Sequence, residues 1–254
     1  MEEYKKEFAR VLAESGALFF DRNLRLKDGR PTPYFVNMGL FRTGRLSFTL
    51  GSFMAQLLIS RNLTDRIDVL IGPSYKGSAI AVATAQALWI EHKQDILFEY
   101  DRKEAKKHGE ASKRSSMFVT NALYPGARVF ILDDVGTTMG TKYDLLDLLK
   151  EESSARGLEL SMVGVGLAID REQTTAVTDD QGRVKEGVKG EDAIACFTSK
   201  TGLPVYFLAG IRSVIQFLAQ EKIPVLQKGT RRPFDSATLK EFDEYMALYG
   251  VPAR

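Results

Sequence analysis

Cysteine occurs once in the 254 residues, at Cys196, which excludes an intrachain disulfide and suits a reducing compartment. No apolar run approaches the roughly 18 residues that a membrane-spanning helix needs. The N-terminus, MEEYKKEFAR, is charged and lacks the apolar centre of a signal peptide. Charge of one sign is also missing: 35 Lys and Arg against 33 Asp and Glu leave +2, so no global field argues for nucleic acid. There is no repeat, linker or low-complexity segment. These absences point to a cytoplasmic protein that engages neither membrane nor nucleic acid. What is present is ordinary for a soluble globular chain, with 44% hydrophobic and 27% charged residues. The length suffices for one large α/β domain or two small ones, and the lack of a linker favours one domain over 1–254.

Apolar periodicity orders the chain. Tyr4, Phe8, Val11 and Leu12 stand at helical spacing within 2–15, and Gly16 can end that helix. Residues 17–38 read as two extended segments around the turn KDGRPTP. A helix is expected over 46–60, a buried strand over 67–72, an Ala-rich helix over 78–91 and a strand over 96–100. Periodicity breaks over 101–116. A strand follows at 128–132, then a helix near 142–151 and a strand over 161–169. Residues 172–190 read as a polar hairpin turning at Asp180-Gln181-Gly182. A strand over 204–210 lies between helical segments near 191–201 and 211–221, and a final amphipathic helix covers 235–248. Strands alternating with helices imply a parallel sheet with right-handed crossovers.

The stretch VFILDDVGTTMGT (129–141) is the most informative. Four apolar residues run into Asp133 and Asp134, and a loop of small residues follows before a helix. Carboxylates at the C-terminal end of a buried parallel strand sit where ligands bind in open α/β sheets. The small loop leaves backbone N–H groups free beside a helix N-terminus, which favours an anion. Acceptors for hydroxyls beside donors for phosphate suit a sugar phosphate. The segment DRKEAKKHGEASKR (101–114) carries six Lys or Arg against three acids and one of only two histidines. As a flexible basic segment after a buried strand, it is suited to closing over a polyanion.

The string 129–141 resembles the phosphoribosyl-pyrophosphate (PRPP) loop of type I phosphoribosyltransferases, with Met139 where many members have a second glycine. RKEAKKHGE is close to the RKEAKxHGE of the orotate phosphoribosyltransferases. GPSYKG (72–77) resembles their GPAYKG, LRLKDGRPTPYFVNMG (24–39) their TLKSGRxSPYFFNxG, and AIDREQ (168–173) their LDRQE. These motifs stand in family order and cover roughly residues 20–173; the C-terminal part lies outside them.

The resemblance implies a central, mainly parallel sheet flanked by helices, with a small hood from the N-terminal region (about 1–40) and part of the C-terminal region. It implies transfer of ribose 5-phosphate from PRPP to orotate, with Mg²⁺ carried on the PRPP rather than in a protein cage. PRPP contacts fall to Lys27, Tyr75, Lys76, Arg102, Lys103, Lys106, His108, Asp133, Asp134, Thr137, Thr138, Gly140 and Thr141. Lys106, His108, Asp133 and Asp134 take the catalytic roles. Orotate contacts fall to Lys27, Phe35, Val36, Thr137 and Arg171, whose fork suits a carboxylate. The resemblance also implies a homodimer in which residues 102–110 reach the partner's site. A phosphoribosyltransferase for another base and a non-catalytic PRPP sensor remain as alternatives. Because like charges repel, neutralising Asp133 and Asp134 together is expected to leave stability unchanged or raised.

Overall fold

The structure is a computed structural model, and it describes residues 1–102 and 117–252. Two sheets form, and each is explained by what its strands bury. The central sheet contains β3 (Val69–Gly72), β4 (Leu97–Tyr100), β5 (Arg128–Val135), β6 (Ser161–Asp170) and β7 (Val205–Gly210), in the order β4-β3-β5-β6-β7 with every pairing parallel. Successive side chains of a strand point to opposite faces. Phe130 and Leu132 of β5 accordingly join one core and Val129 and Ile131 the other. That double burial is why these strands read as continuous apolar runs.

One face is covered by α1 (Glu3–Glu14), α2 (Gly44–Ser60), α3 (Lys76–His92) and α6 (Ile211–Gln220), which contribute to the larger core. The opposite face is covered by α4 (Gly140–Arg156) and α5 (Ala193–Thr201). At the N-terminal edge of the sheet, Asp68 ties β3 to β5. Its carboxylate accepts from Arg128 Nε at 2.9 Å, Arg128 Nη2 at 2.7 Å and the Arg128 backbone N–H at 2.8 Å.

The second sheet is the hood. It contains β1 (Leu18–Arg25), β2 (Pro31–Val36), β8 (Val225–Gln227) and β9 (Thr230–Arg232), ordered β2-β1-β8-β9. The helix α7 (Ser236–Tyr249) packs on it through aromatic edges, with Tyr34 and Phe242 ring centroids 5.6 Å apart and Phe20 and Phe242 6.5 Å apart. The hood thus draws on both ends of the chain, as the resemblance implied.

Three elements differ from the sequence reading. First, β5 runs on through Asp133 and Asp134 to Val135, because β6 offers it ladder partners at Asp133↔Leu167 and Val135↔Ile169. Second, β8 and β9 were not expected; they turn at Lys228 and Gly229, both at positive φ (51° and 80°). Third, residues 172–190 form a loop rather than paired strands. Apart from an isolated Thr178↔Val184 bridge, only a few backbone hydrogen bonds close it, such as Asp179 N–H to Arg183 O at 2.8 Å. From Thr175 to Gly190 its residues are half-buried or exposed, so no buried face selects a register.

Candidate active site

The C-terminal ends of four parallel strands line up along one edge and bring most of the motifs together. In sheet order this edge carries Asp101 and Arg102 after β4, the GPSYKG turn after β3, the acidic pair and small loop of β5, and Arg171 after β6.

The turn after β3 is very tight. A Cβ at Gly72 would lie 2.1 Å from the Gly77 carbonyl carbon, and one at Gly77 2.8 Å from Leu132 O, so this crossing admits only glycine. Ser74 binds the turn to the next strand: its N–H donates to Asp101 Oδ1 at 2.8 Å and its hydroxyl to Asp101 O at 2.6 Å. Tyr75 is 75% exposed. Lys76 Nζ lies 2.9 Å from Asp134 Oδ2, an exposed ammonium against a mostly shielded carboxylate.

The two carboxylates of β5 have different surroundings. Asp134 reaches the edge and meets Lys76. Asp133 is buried and closely ion-paired with the ammonium of Lys142, which also donates to Val135 O at 2.9 Å. Burial pushes the Asp133 carboxyl up, and the neighbouring Asp134 charge adds to this, against the pull of Lys142. Asp133 therefore ties β5 to the first turn of α4. The expectation that neutralising both carboxylates spares stability is corrected here, since for Asp133 the nearer charge is a buried cation.

The small loop then rises to α4. Thr137 is half-buried, and Thr138 and Thr141 are exposed. Among the described residues, the backbone N–H groups of Thr137, Thr138 and Met139 have no hydrogen-bond partner, and Gly140 N–H makes only a 3.4 Å contact with Thr138 Oγ1. Donors left without a partner beside a helix N-terminus suit a phosphate. Met139 adopts φ +60°, a left-handed conformation that glycine occupies without strain. It is nonetheless buried, and its sulfur would lie 2.7 Å from a Cβ on Gly136. Core packing thus offsets the backbone cost of a side chain at this position.

Arg171 follows β6 and is 4% exposed. Its guanidinium lies 4.8 Å from the Tyr34 ring centroid and 5.9 Å from that of Phe35. Nε contacts the Tyr34 hydroxyl at 3.4 Å, and Nη2 contacts Thr32 Oγ1 at 3.5 Å. All these partners are neutral; among the described residues, no carboxylate makes a salt bridge to Arg171. Phe35 is half-buried, while the Val36 side chain is buried in the core, leaving its backbone for any contact. Lys27 is exposed in the β1–β2 turn, and among the described residues no hydrogen bond or salt bridge joins it to the edge.

Lys103, Lys106 and His108 lie outside the described residues. The two ends of their segment are well defined. Arg102 N–H donates to Met117 O at 2.7 Å, and Asp101 bridges Phe118. The fully buried Glu99 accepts four backbone N–H groups, from Tyr100, Val119, Thr120 and Ala122, at 2.7–3.0 Å. Glu99 and Lys142 were missed from sequence. A charged residue inside the apolar run ILFEY was the available signal for Glu99; nothing marked Lys142 beyond its place in a first helical turn.

Comparison with known proteins bears on this edge. A phosphoribosyl transferase domain model matches residues 48–192. The chain is 36% identical over 218 residues to an orotate phosphoribosyltransferase of Chromohalobacter salexigens, covering 86% of this chain and 84% of the other. The chain belongs to the orotate phosphoribosyltransferase family. A relative of the same name from Saccharophagus degradans is 32% identical over 251 residues, 99% of this chain and 100% of its own. That likeness includes the C-terminal part that the motifs leave out. The crystal structure of orotate phosphoribosyltransferase from Francisella tularensis superposes with a TM-score of 0.71 at 26% identity, covering 96% of this chain and 98% of that one. Leishmania donovani UMP synthase shares the fold over 42% of its length, at 20% identity and a TM-score of 0.62.

Proposed function

We propose that this orotate phosphoribosyltransferase transfers ribose 5-phosphate from PRPP to N1 of orotate along the edge described above, releasing pyrophosphate and forming orotidine 5′-monophosphate in pyrimidine synthesis. The observation that carries the reading is the order of groups. An ammonium on Asp134, a loop of free N–H donors and a buried guanidinium with only neutral partners follow one another along the sheet.

The loop 137–141 takes the 5-phosphate on the N–H groups of Thr137, Thr138 and Met139, with the Thr141 hydroxyl and Gly140 beside them. Asp134 accepts from the ribose hydroxyls; Asp133 holds the strand end through Lys142. Breaking the C1–O bond leaves positive charge on the sugar and negative charge on pyrophosphate. Lys76, beside Tyr75, is placed for that anion, and Arg102, Lys103 and Lys106 join it from the neighbouring subunit of a homodimer. His108 offers the leaving oxygens a proton or hydrogen bond. Arg171 pairs with the orotate carboxylate, an anion that its hydrogen-bond partners Tyr34 and Thr32 do not supply, while Phe35 and the Val36 backbone flank the flat base and Lys27 closes from the hood. A neutral purine would leave Arg171 unpaired.

Among the described residues, no cluster of three or more Asp, Glu, His or Cys could hold a metal. Asp133 and Asp134 are each engaged by a lysine, a donor set that fits Mg²⁺ arriving on the PRPP phosphates, with Asp134 at most touching its water. When bound there, the ion neutralises the leaving pyrophosphate.

Orotate absorbance should fall when the protein is mixed with PRPP and Mg²⁺, and pyrophosphate should appear in equal amount. Turnover of adenine or guanine with no loss of orotate would favour a different base, and no turnover of any base would favour a sensor.

A further inference from the structure

A buried hydrogen-bond network links the C-terminal helix to Arg171. Gln173, two residues after it, is buried, and its Oε1 accepts from two phenols: Tyr245 of α7 at 2.9 Å and Tyr34 of the hood at 3.5 Å. Tyr34 is the residue whose ring and hydroxyl carry the Arg171 guanidinium. The direction of these bonds matters. With its proton given to Gln173, the Tyr34 oxygen presents a lone pair to Arg171 Nε. Thr32 is arranged alike, since its hydroxyl proton goes to Tyr34 O at 3.0 Å and its oxygen is left for Nη2. Burial pushes the Tyr34 phenol up and that of Tyr245 to about 12, so both stay protonated donors at working pH.

The backbone around Gln173 is fixed by the end of the chain. Thr174 N–H donates to Tyr249 O at 2.9 Å and Val251 N–H to Glu172 O at 2.8 Å, with Gln173 bridged to Gly250 between them. Glu172 holds φ +51°, and its carboxylate accepts from the Arg212 N–H at 2.8 Å, in the first turn of α6. The segment carrying Arg171 is thus gripped on both sides by C-terminal elements.

We infer that the C-terminal helix is a positioning element for base recognition: Gln173 and Tyr245 act through Tyr34 to aim the Arg171 fork at the substrate carboxylate. The inference rests on the reading of Arg171 as the orotate partner. Neither Gln173 nor Tyr245 need touch substrate. Their worth lies in holding a flexible guanidinium in one geometry before the ligand arrives, which lowers the cost of ordering it on binding.

The test is steady-state kinetics on the full-length protein with Tyr245→Phe, Gln173→Met and Arg171→Ala, alone and combined. Tyr245→Phe should raise KM for orotate at least threefold and Gln173→Met five- to tenfold, with KM for PRPP changed less than twofold. In the Arg171→Ala background neither change should raise KM for orotate further, because the group they aim is gone. Equal rises for both substrates, or full additivity with Arg171→Ala, would mark the network as merely structural and overturn the inference. A rise with Arg171→Ala but none with the other two overturns the inference alone. No effect of Arg171→Ala on KM for orotate overturns the reading of Arg171 and the inference with it. Should Gln173→Met fail to fold, Tyr245→Phe, which loses one hydroxyl and keeps its ring, decides the matter.

Discussion

Single residues at this site are governed by whether their charge has a partner inside the protein. Lys142 and Asp133 neutralise each other in the interior, and removing one strands the other. Lys142→Met should therefore destabilise the fold by about 3–5 kcal/mol, the scale for breaking a buried pair. Urea unfolding measures this, and adding Asp133→Asn should recover part of the loss; an unchanged midpoint for the single variant would mean that the pair carries no structural weight. Sequence could not distinguish the two adjacent carboxylates, because a strand alternates its faces and only the register with β6 decides which one turns inward. Arg171 and Lys76 were singled out through the motifs AIDREQ and GPSYKG, which the structure brings to the same edge of the sheet. Lys142 was not, since a lysine in a helix is ordinarily solvated.

Elements were legible in proportion to how much they bury. The five strands of the central sheet announced themselves as apolar runs, and α2 and α3 as periodic ones, because both faces or a whole stripe leave water. The strands β8 and β9 span three residues each, and β9 is exposed along its length, so no pattern could mark them. The Lys-Gly turn between them was the one usable signal. Residues 172–190 misled in the opposite sense, since their turn chemistry was right while no buried face extended the pairing. The pairing of β3 with β5 at its far end also has a pH signature. Arg128 holds the Asp68 carboxyl down at about 2. A carboxyl depressed in the folded state adds stability above its unfolded pKa, near 4, and loses it as pH falls toward 2. Asp68→Asn should therefore lower stability at pH 7 and flatten its decline between about pH 4 and 2. Denaturant titrations across that range measure it, and an undiminished acid slope in the variant would assign the acid sensitivity elsewhere.

At the scale of the whole molecule, the proposed active site needs two chains, because the basic segment after Arg102 is taken to serve its neighbour. Lys106→Ala and Asp134→Asn should each nearly abolish turnover. If the site is shared, mixing the two with subunit exchange makes hybrids in which one site carries both lesions and the other carries neither. Random pairing makes about half the dimers hybrid, each with one working site, so activity should return to roughly a quarter of wild type. No recovery after verified exchange would assign the segment to its own subunit. The motifs made the central sheet and its edge readable but were silent on how the C-terminal helix reaches Arg171, since that contact joins residues 72 apart in sequence through side chains of unremarkable type. The buried Glu99 carboxylate has one more consequence. It gathers backbone donors from Tyr100 at the end of β4 and from Val119, Thr120 and Ala122. One carboxylate thus fastens Val119, Thr120 and Ala122 to the end of β4, so Glu99→Gln should loosen the attachment of 117–122 to the sheet, which hydrogen exchange at those amides would measure.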